Sequence, residues 1–373
     1  MMTERKKEFS IFLVTIGLHI LLLLIAFAAY RVQNPGAGLP YLRERFTTAG
    51  DSPHYLFLAK EGYQSEGEQA KLIVFYPLYP LLMKVLGMIL LGNYELAGLL
   101  ISNVCAGLAS VYLYKLVKLD YGEGRAEESV LLFLLYPFMM FTMGVYTESL
   151  FLLLTLATLY QIRQGKWVQA GLLGFAAALC RTQGMLLLAP AVYEWLHQRA
   201  ESGKRFKEYA SPKHLTIFLM PLGFLCYLLL NYVKLGDFRA FWEYQKAAPW
   251  YQSTHWINAN ITKDYGMALE HRSLSYIIYW VQILLIFLAL AVFFYGIKKG
   301  VRTSLIVYGG IYTCFCYLTG WLISGPRYML GCVSLFIVYA AVEKERVRYV
   351  ILGASAVLCM VYMILYLQGQ AIM

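Results

Sequence analysis

The sequence predicts an all-α, polytopic membrane helical bundle, and three observations predict it. Of 373 residues, 60% are hydrophobic and only 14% charged, far more apolar surface than a soluble core consumes. The apolar residues fall in long runs that are apolar on every face, not in the alternating segments of about ten residues that build a membrane β-barrel. The lysines and arginines behind the net charge of +10 gather in short segments between those runs. There they orient a chain in a bilayer, so the basic balance implies membrane lipids and no nucleic acid.

The basic start, through Arg5, Lys6 and Lys7, precedes an apolar run over 10–30. That run is too long for a signal-peptide core and lacks a small-residue cleavage site, so it reads as a retained span with a cytoplasmic N-terminus. Further apolar runs occupy 73–91, 95–116, 127–145, 147–162, 167–180, 184–197, 213–234, 273–297, 303–323, 327–342 and 348–367. The run 73–91 holds Pro77, Pro80 and Lys84 and is expected to be a re-entrant or interfacial segment, which leaves about eleven crossings. With that assignment Lys115, Lys118, Arg125, Arg163, Lys166 and the basic segments 199–213, 298–302 and 344–348 share the side of the N-terminus, as the positive-inside rule requires. The chain is expected to be one integral membrane domain, 1–373, with exterior loops over 31–94 and 235–272.

This topology has a consequence for the polar residues. Asp51 and His54, the Tyr-Pro pairs at 76–77 and 79–80, Tyr146-Thr147-Glu148, Arg181 and Gly325-Pro326-Arg327-Tyr328 all emerge on the exterior face. Ionisable groups at membrane depth are costly and normally face a cavity, so their convergence marks a candidate site. Each has a plainer reading. Asp51 in Gly-Asp-Ser-Pro suits a helix N-cap, Glu148 suits the positive end of a helix dipole, and Arg181 and Arg327 suit snorkelling to lipid headgroups. Tyr76 and Tyr79 suit interfacial seating beside their prolines.

Other signals are weaker. The seven cysteines lie in or beside apolar runs without metal-ligand spacing and read as small hydrophobes. Trp242, Trp250 and Trp256 in the second exterior loop suit either sugar stacking or interfacial anchoring. Asn260-Ile-Thr262 is a glycosylation triplet in the same loop. No phosphate-binding glycine loop or paired acidic motif for a nucleotide-bound donor is present.

Five segments in order, GDSPHYLFLAKEGY at 50–63, FYPLYPLL at 75–82, VYTESLFLLL at 145–154, LCRTQGMLLLAP at 179–190 and SGPRYML at 324–330, resemble the PIG-V family of mannosyltransferases. One position departs: family members commonly carry an aromatic residue before the aspartate, where this chain has Gly50. The resemblance implies a GT-C type membrane fold and a polyprenyl-phosphate sugar donor, most simply mannose. It implies Asp51 as catalytic base, and a lipid-linked or envelope glycan as acceptor. The active site would face the exterior of a prokaryotic plasma membrane or the lumen of the endoplasmic reticulum in a eukaryote, where relatives act on GPI precursors.

The chemistry points to the same residues. Sugar transfer needs a base for the acceptor hydroxyl and cationic groups for the charge growing on the departing phosphate. Asp51 is expected as the base. Arg327 and Arg181 are expected on the donor phosphate, because a guanidinium fork matches phosphate bidentately, with His54 beside them. Tyr76, Tyr79, Tyr146, Glu148 and Tyr328 are expected to bind substrate. One carboxylate at the anomeric carbon predicts an inverting displacement. No cofactor is expected, and metal-independent transfer is favoured over use of a divalent cation. A lipid or lipid-linked sugar flippase is the alternative, and the unlike halves of the chain weigh against it.

Overall fold

The computed structural model describes residues 4–270, 277–320 and 324–370. In chain order its helices are α1 (Glu4–Gln33), α2 (Leu39–Thr47), α3 (Ser52–Glu61), α4 (Leu78–Ile89), α5 (Tyr94–Leu134) and α6 (Glu148–Arg163). There follow α7 (Trp167–Cys180), α8 (Leu188–Ser202), α9 (Phe206–Tyr209), α10 (Leu219–Leu235), α11 (Ala240–Lys246) and α12 (Ile257–Glu270). The chain ends with α13 (Ile277–Lys298), α14 (Thr303–Tyr317), α15 (Gly325–Met329), α16 (Ser334–Ala340) and α17 (Glu345–Leu367). The start of the predicted run 273–297 and the end of 303–323 lie outside the described residues. Among the described residues the only β pairing is an isolated bridge between Thr254 and Thr319. The protein is an all-α membrane bundle, as its composition requires.

Five described helices are long and apolar enough to cross a membrane by themselves, and a sixth crossing is obtained if one sharply bent pair counts as a span. That pair is the 3-10 turn Glu68–Val74 and α4, bent by 111°. The bend falls at Phe75-Tyr76-Pro77, where proline cannot continue a helix, inside the segment expected to be re-entrant or interfacial. Most other predicted runs form helices of 14 to 16 residues, such as α6, α7, α8 and α14.

Two expected runs are not single helices. The run 127–145 begins in the part of α5 that follows a break at Gly122 (φ +78°), leaves the helix at Leu134 just before Pro137, and continues as irregular chain with a 3-10 turn at Met139–Thr142. Non-helical backbone at membrane depth needs partners for its polar groups, and side chains supply them. Ser355 donates to Leu135 O at 2.8 Å, Asn103 to Met143 O at 3.0 Å, and Ser149 to Thr142 O at 2.8 Å. The run 327–342 likewise divides into α15 and α16 around Gly331. There Tyr312 donates to Tyr328 O at 2.9 Å, and a side chain on Gly331 would collide with the Tyr312 hydroxyl at 2.1 Å. The cavity described next is built beside these two breaks.

The end of the bundle that carries the N-terminus is tied by ion pairs. Lys115 meets Glu8 at 3.0 Å, Lys118 meets Glu4 at 2.6 Å, and Arg348 grips Glu128. These pairs tie α1, α5 and α17 together.

Candidate active site

A cavity of about 460 Å³ opens among α3, the turns after α7, the loop between α10 and α12, the end of α14 and α15. Asp51, Arg181, Arg327, Tyr76 and Tyr328 all line it. Four segments that are far apart in sequence therefore meet at one wall.

Asp51 stands at the first turn of α3, yet its side chain makes no capping hydrogen bond. Its Oδ2 instead accepts from Arg327 Nη2 at 2.7 Å. The capping reading is thereby replaced by an ion pair. The turn before it depends on Gly50, which has a φ of +58° and whose Cβ, if present, would lie 3.0 Å from the Tyr146 hydroxyl. Tyr146 donates to Ala49 O at 2.8 Å and so fixes the approach of the chain to Asp51. A side chain at position 50 would be strained at this φ and would press on the Tyr146 hydroxyl.

Arg327 is 5% exposed, and besides Asp51 it binds Glu148, Nε to Oε1, at 2.7 Å. Arg181 donates from Nη1 to the same Glu148 Oε1 at 2.9 Å. Aromatic faces support both guanidiniums: Arg327 lies 4.4 Å over Phe141 and 5.0 Å over Tyr146, and Arg181 lies 5.6 Å over Tyr328. Neither arginine snorkels to headgroups. Two carboxylates and two guanidiniums form a neutral cluster, but its members differ in access. Asp51 is 26% exposed and Arg181 14%, whereas Glu148 is 3% exposed. Glu148 opens α6, as its dipole reading expects, and holds both arginines from behind the wall.

The other expected residues divide. Tyr76 lines the cavity, bonds Thr182 Oγ1 at 2.6 Å and stacks on Tyr227 at 3.9 Å. Tyr328 lines it beside Arg181. Tyr79 is fully buried away from the wall and bonds Ser102 at 2.8 Å, and Tyr146 lies beneath Arg327. His54 packs its ring on Phe75 at 5.1 Å and Trp250 at 5.3 Å. Burial pushes its imidazole below the ordinary value, against the pull of the Asp51 charge. Asn260 of the predicted glycosylation triplet is buried and donates to Tyr317 O at 2.9 Å and Thr319 O at 3.2 Å, so its amide is committed to pinning α12. No cluster of potential metal ligands occurs among the described residues.

Several wall residues were not expected by themselves as site residues. Thr147, Thr182, Gln183 and Thr319 line the cavity without belonging to a charged or aromatic pattern. Tyr366, at the far end of the chain, accepts the Arg45 side chain on its carbonyl at 2.6 Å and brings α17 against the turn that carries Asp51.

A helical membrane protein with a carboxylate and two arginines on one cavity wall is the class that fold and site define. The chain belongs to the family described as mannosyltransferase (PIG-V), whose model matches residues 41–254. The match covers Asp51, Glu148 and Arg181 and ends before Arg327. Among curated proteins, the chain is 33% identical over 149 residues to GPI alpha-1,6-mannosyltransferase 2 of Cricetulus griseus, which is 36% of this chain and 29% of that protein. It is 34% identical over 95 residues to GPI mannosyltransferase 2 of Yarrowia lipolytica, 25% of this chain and 27% of the relative. The matched part of the chain thus spans less than a third of these relatives.

Proposed function

We propose that the protein is a membrane mannosyltransferase of GT-C type that moves mannose from a polyprenyl-phosphate donor to a lipid-linked or envelope glycan, with inversion, on the face away from the N-terminus. The observation that carries this is the placement of Asp51 on the wall of a cavity with Arg327 and Arg181, in a chain of the PIG-V family. In the reaction the acceptor hydroxyl oxygen attacks the anomeric carbon. The bond from that carbon to the phosphate oxygen breaks, and its electron pair leaves with the phosphate. The acceptor proton passes to an Asp51 carboxylate oxygen.

Arg181 and Arg327 take up the charge on the leaving phosphate. A phosphate arriving at Arg327 competes with Asp51 for the guanidinium, so donor entry loosens the carboxylate that must then accept a proton. Glu148 keeps both forks oriented from behind the wall. Tyr76 and Tyr328 are the two expected substrate residues that reach the cavity. Metal-independent transfer is part of the proposal, because two guanidiniums supply the positive charge and both nearby carboxylates are engaged by them.

The test is transfer of radiolabelled mannose from purified polyprenyl-phosphate mannose by the purified protein, with total membrane lipid as acceptor pool. A labelled product of opposite anomeric configuration is expected. Movement of intact donor across a bilayer without product would overturn the proposal in favour of a flippase.

A further inference from the structure

The cavity has a second kind of wall that the phosphate chemistry does not use. The loop between α10 and α12 contributes Trp242, Gln245, Trp250 and Gln252 to the lining, and none of these is charged. The loop is held in place along its length. Trp250 sets its ring against His54 at 5.3 Å and Phe75 at 5.2 Å, and Gln252 N donates to Gln245 O at 2.7 Å. Further on, Thr254 bridges Thr319, and His255 N donates to Leu318 O at 2.9 Å. The side chains between these anchors are therefore presented by a fixed backbone.

Packing accounts for the rings but leaves polar groups over. The Trp250 indole N–H is enclosed and finds no partner among the described residues. The Gln252 amide makes one long contact, from Nε2 to the Tyr328 hydroxyl at 3.4 Å. An indole offers one donor, which is unused here, and the amide of the part-exposed Gln252 offers two donors and an acceptor at the cavity wall. An unsatisfied donor in an enclosed place costs stability, and an occupant that pairs with the Trp250 N–H recovers it. Flat aromatic faces beside neutral donors and acceptors fit a ring with apolar C–H faces and a rim of hydroxyls.

We infer that this loop is a carbohydrate subsite in which Trp250 and Gln252 recognise the hydroxyls of a neutral pyranose. The assignment rests on the sugar-transfer reading and deepens it. The pyranose is either the sugar carried by the donor or the terminal sugar of the acceptor, and both present the same chemistry to this wall. Phosphate stays with the arginines, so one cavity separates the charged from the neutral part of the reaction.

Binding of methyl α-D-mannopyranoside to the purified full-length chain, followed by saturation-transfer NMR, tests this without turnover. Trp250→Phe keeps the packing ring and removes the N–H, and Gln252→Leu removes the amide at similar volume. Each is expected to weaken mannoside binding about tenfold, the scale of one well-formed hydrogen bond. Trp256→Phe, in a residue 79% exposed and off the cavity wall, is expected to leave binding unchanged. A wild-type protein that does not bind the mannoside, or two folded variants that bind it as wild type does, would overturn the subsite.

In turnover, a rise in apparent KM confined to the donor identifies the donor's sugar as the occupant, and a rise confined to the acceptor identifies the acceptor. If wild-type protein binds mannoside yet transfers none from polyprenyl-phosphate mannose, the transfer reading fails and the subsite stands.

Discussion

The two polar ends of the bundle use the same residue types differently. α6 joins them, with Glu148 at one end and Arg163 at the other, about 22 Å apart at the helical rise. At the Arg163 end, Glu194 is fully buried and uses both oxygens: Oε1 accepts from Arg302 at 2.6 Å, and Oε2 accepts from Ser304 at 2.7 Å. Arg163 grips both oxygens of Asp120, at 2.7 and 2.8 Å. At the Glu148 end, one oxygen serves two arginines, and the other is enclosed without a partner among the described residues. Asp51 there faces open space. A saturated network fixes helices in register, whereas an unsaturated one beside a cavity retains capacity for a ligand.

That contrast predicts different losses. The largest in stability is expected from Glu194→Ala, which removes the fully buried carboxylate shared by Arg302 and Ser304 and breaks three helices' shared tie. Thermal unfolding in detergent should show a loss of about 3–5 kcal/mol, while the fraction that remains folded transfers sugar at the wild-type rate. Equal stability in that variant would mean that the saturated end is not what holds the helices.

Arg327→Lys is expected to act on catalysis. A point charge cannot hold Asp51, Glu148 and a phosphate together as a fork does, so donor kcat/KM should fall by at least about tenfold, roughly 1.4 kcal/mol. Unchanged donor kinetics would shift the phosphate to Arg181 alone.

The smallest effect is a pH dependence of stability at the cavity end. The folded pKa of His54 is lowered by burial, so the unfolded chain binds the proton more readily. Its contribution is fully present above the ordinary histidine value of about 6.5 and is lost as pH falls through that value toward the lowered one. Thermal melts from pH 7 to pH 5 should show stability falling, and His54→Phe should flatten that slope. A slope unchanged by the substitution would assign it to other groups.

The residues of the site were largely legible, because a charge inside an apolar run has few explanations. Glu148, Arg181 and Arg327 stood out for that reason and Asp51 for its place before Ser-Pro in the first polar loop, and the fold gathers all four. Their pairing was not legible. Asp51 could serve a cap or a partner equally well by sequence, and only the approach of α15 decides for Arg327. Tyr79 and Tyr146 resemble Tyr76 in the sequence, yet the 111° bend and the buried turn after α5 send them into packing.

Apolar runs predicted the class of fold but not every helix. Pro137 and Gly331 break two of the runs, and tyrosine, serine and asparagine side chains from neighbouring helices make those breaks tolerable at membrane depth. Position on the loop after α10 was equally hidden. Its tryptophans read as anchors or stacking groups, and contacts with His54 and Phe75 place Trp250 on the cavity wall.

The most direct test of the base at the unsaturated end is a comparison of wild type and Asp51→Asn for both donor binding and sugar transfer. Transfer should fall by about 10²–10⁴-fold, the usual worth of a positioned general base, while the folded variant still binds polyprenyl-phosphate mannose. Transfer at the wild-type rate by Asp51→Asn would contradict the account.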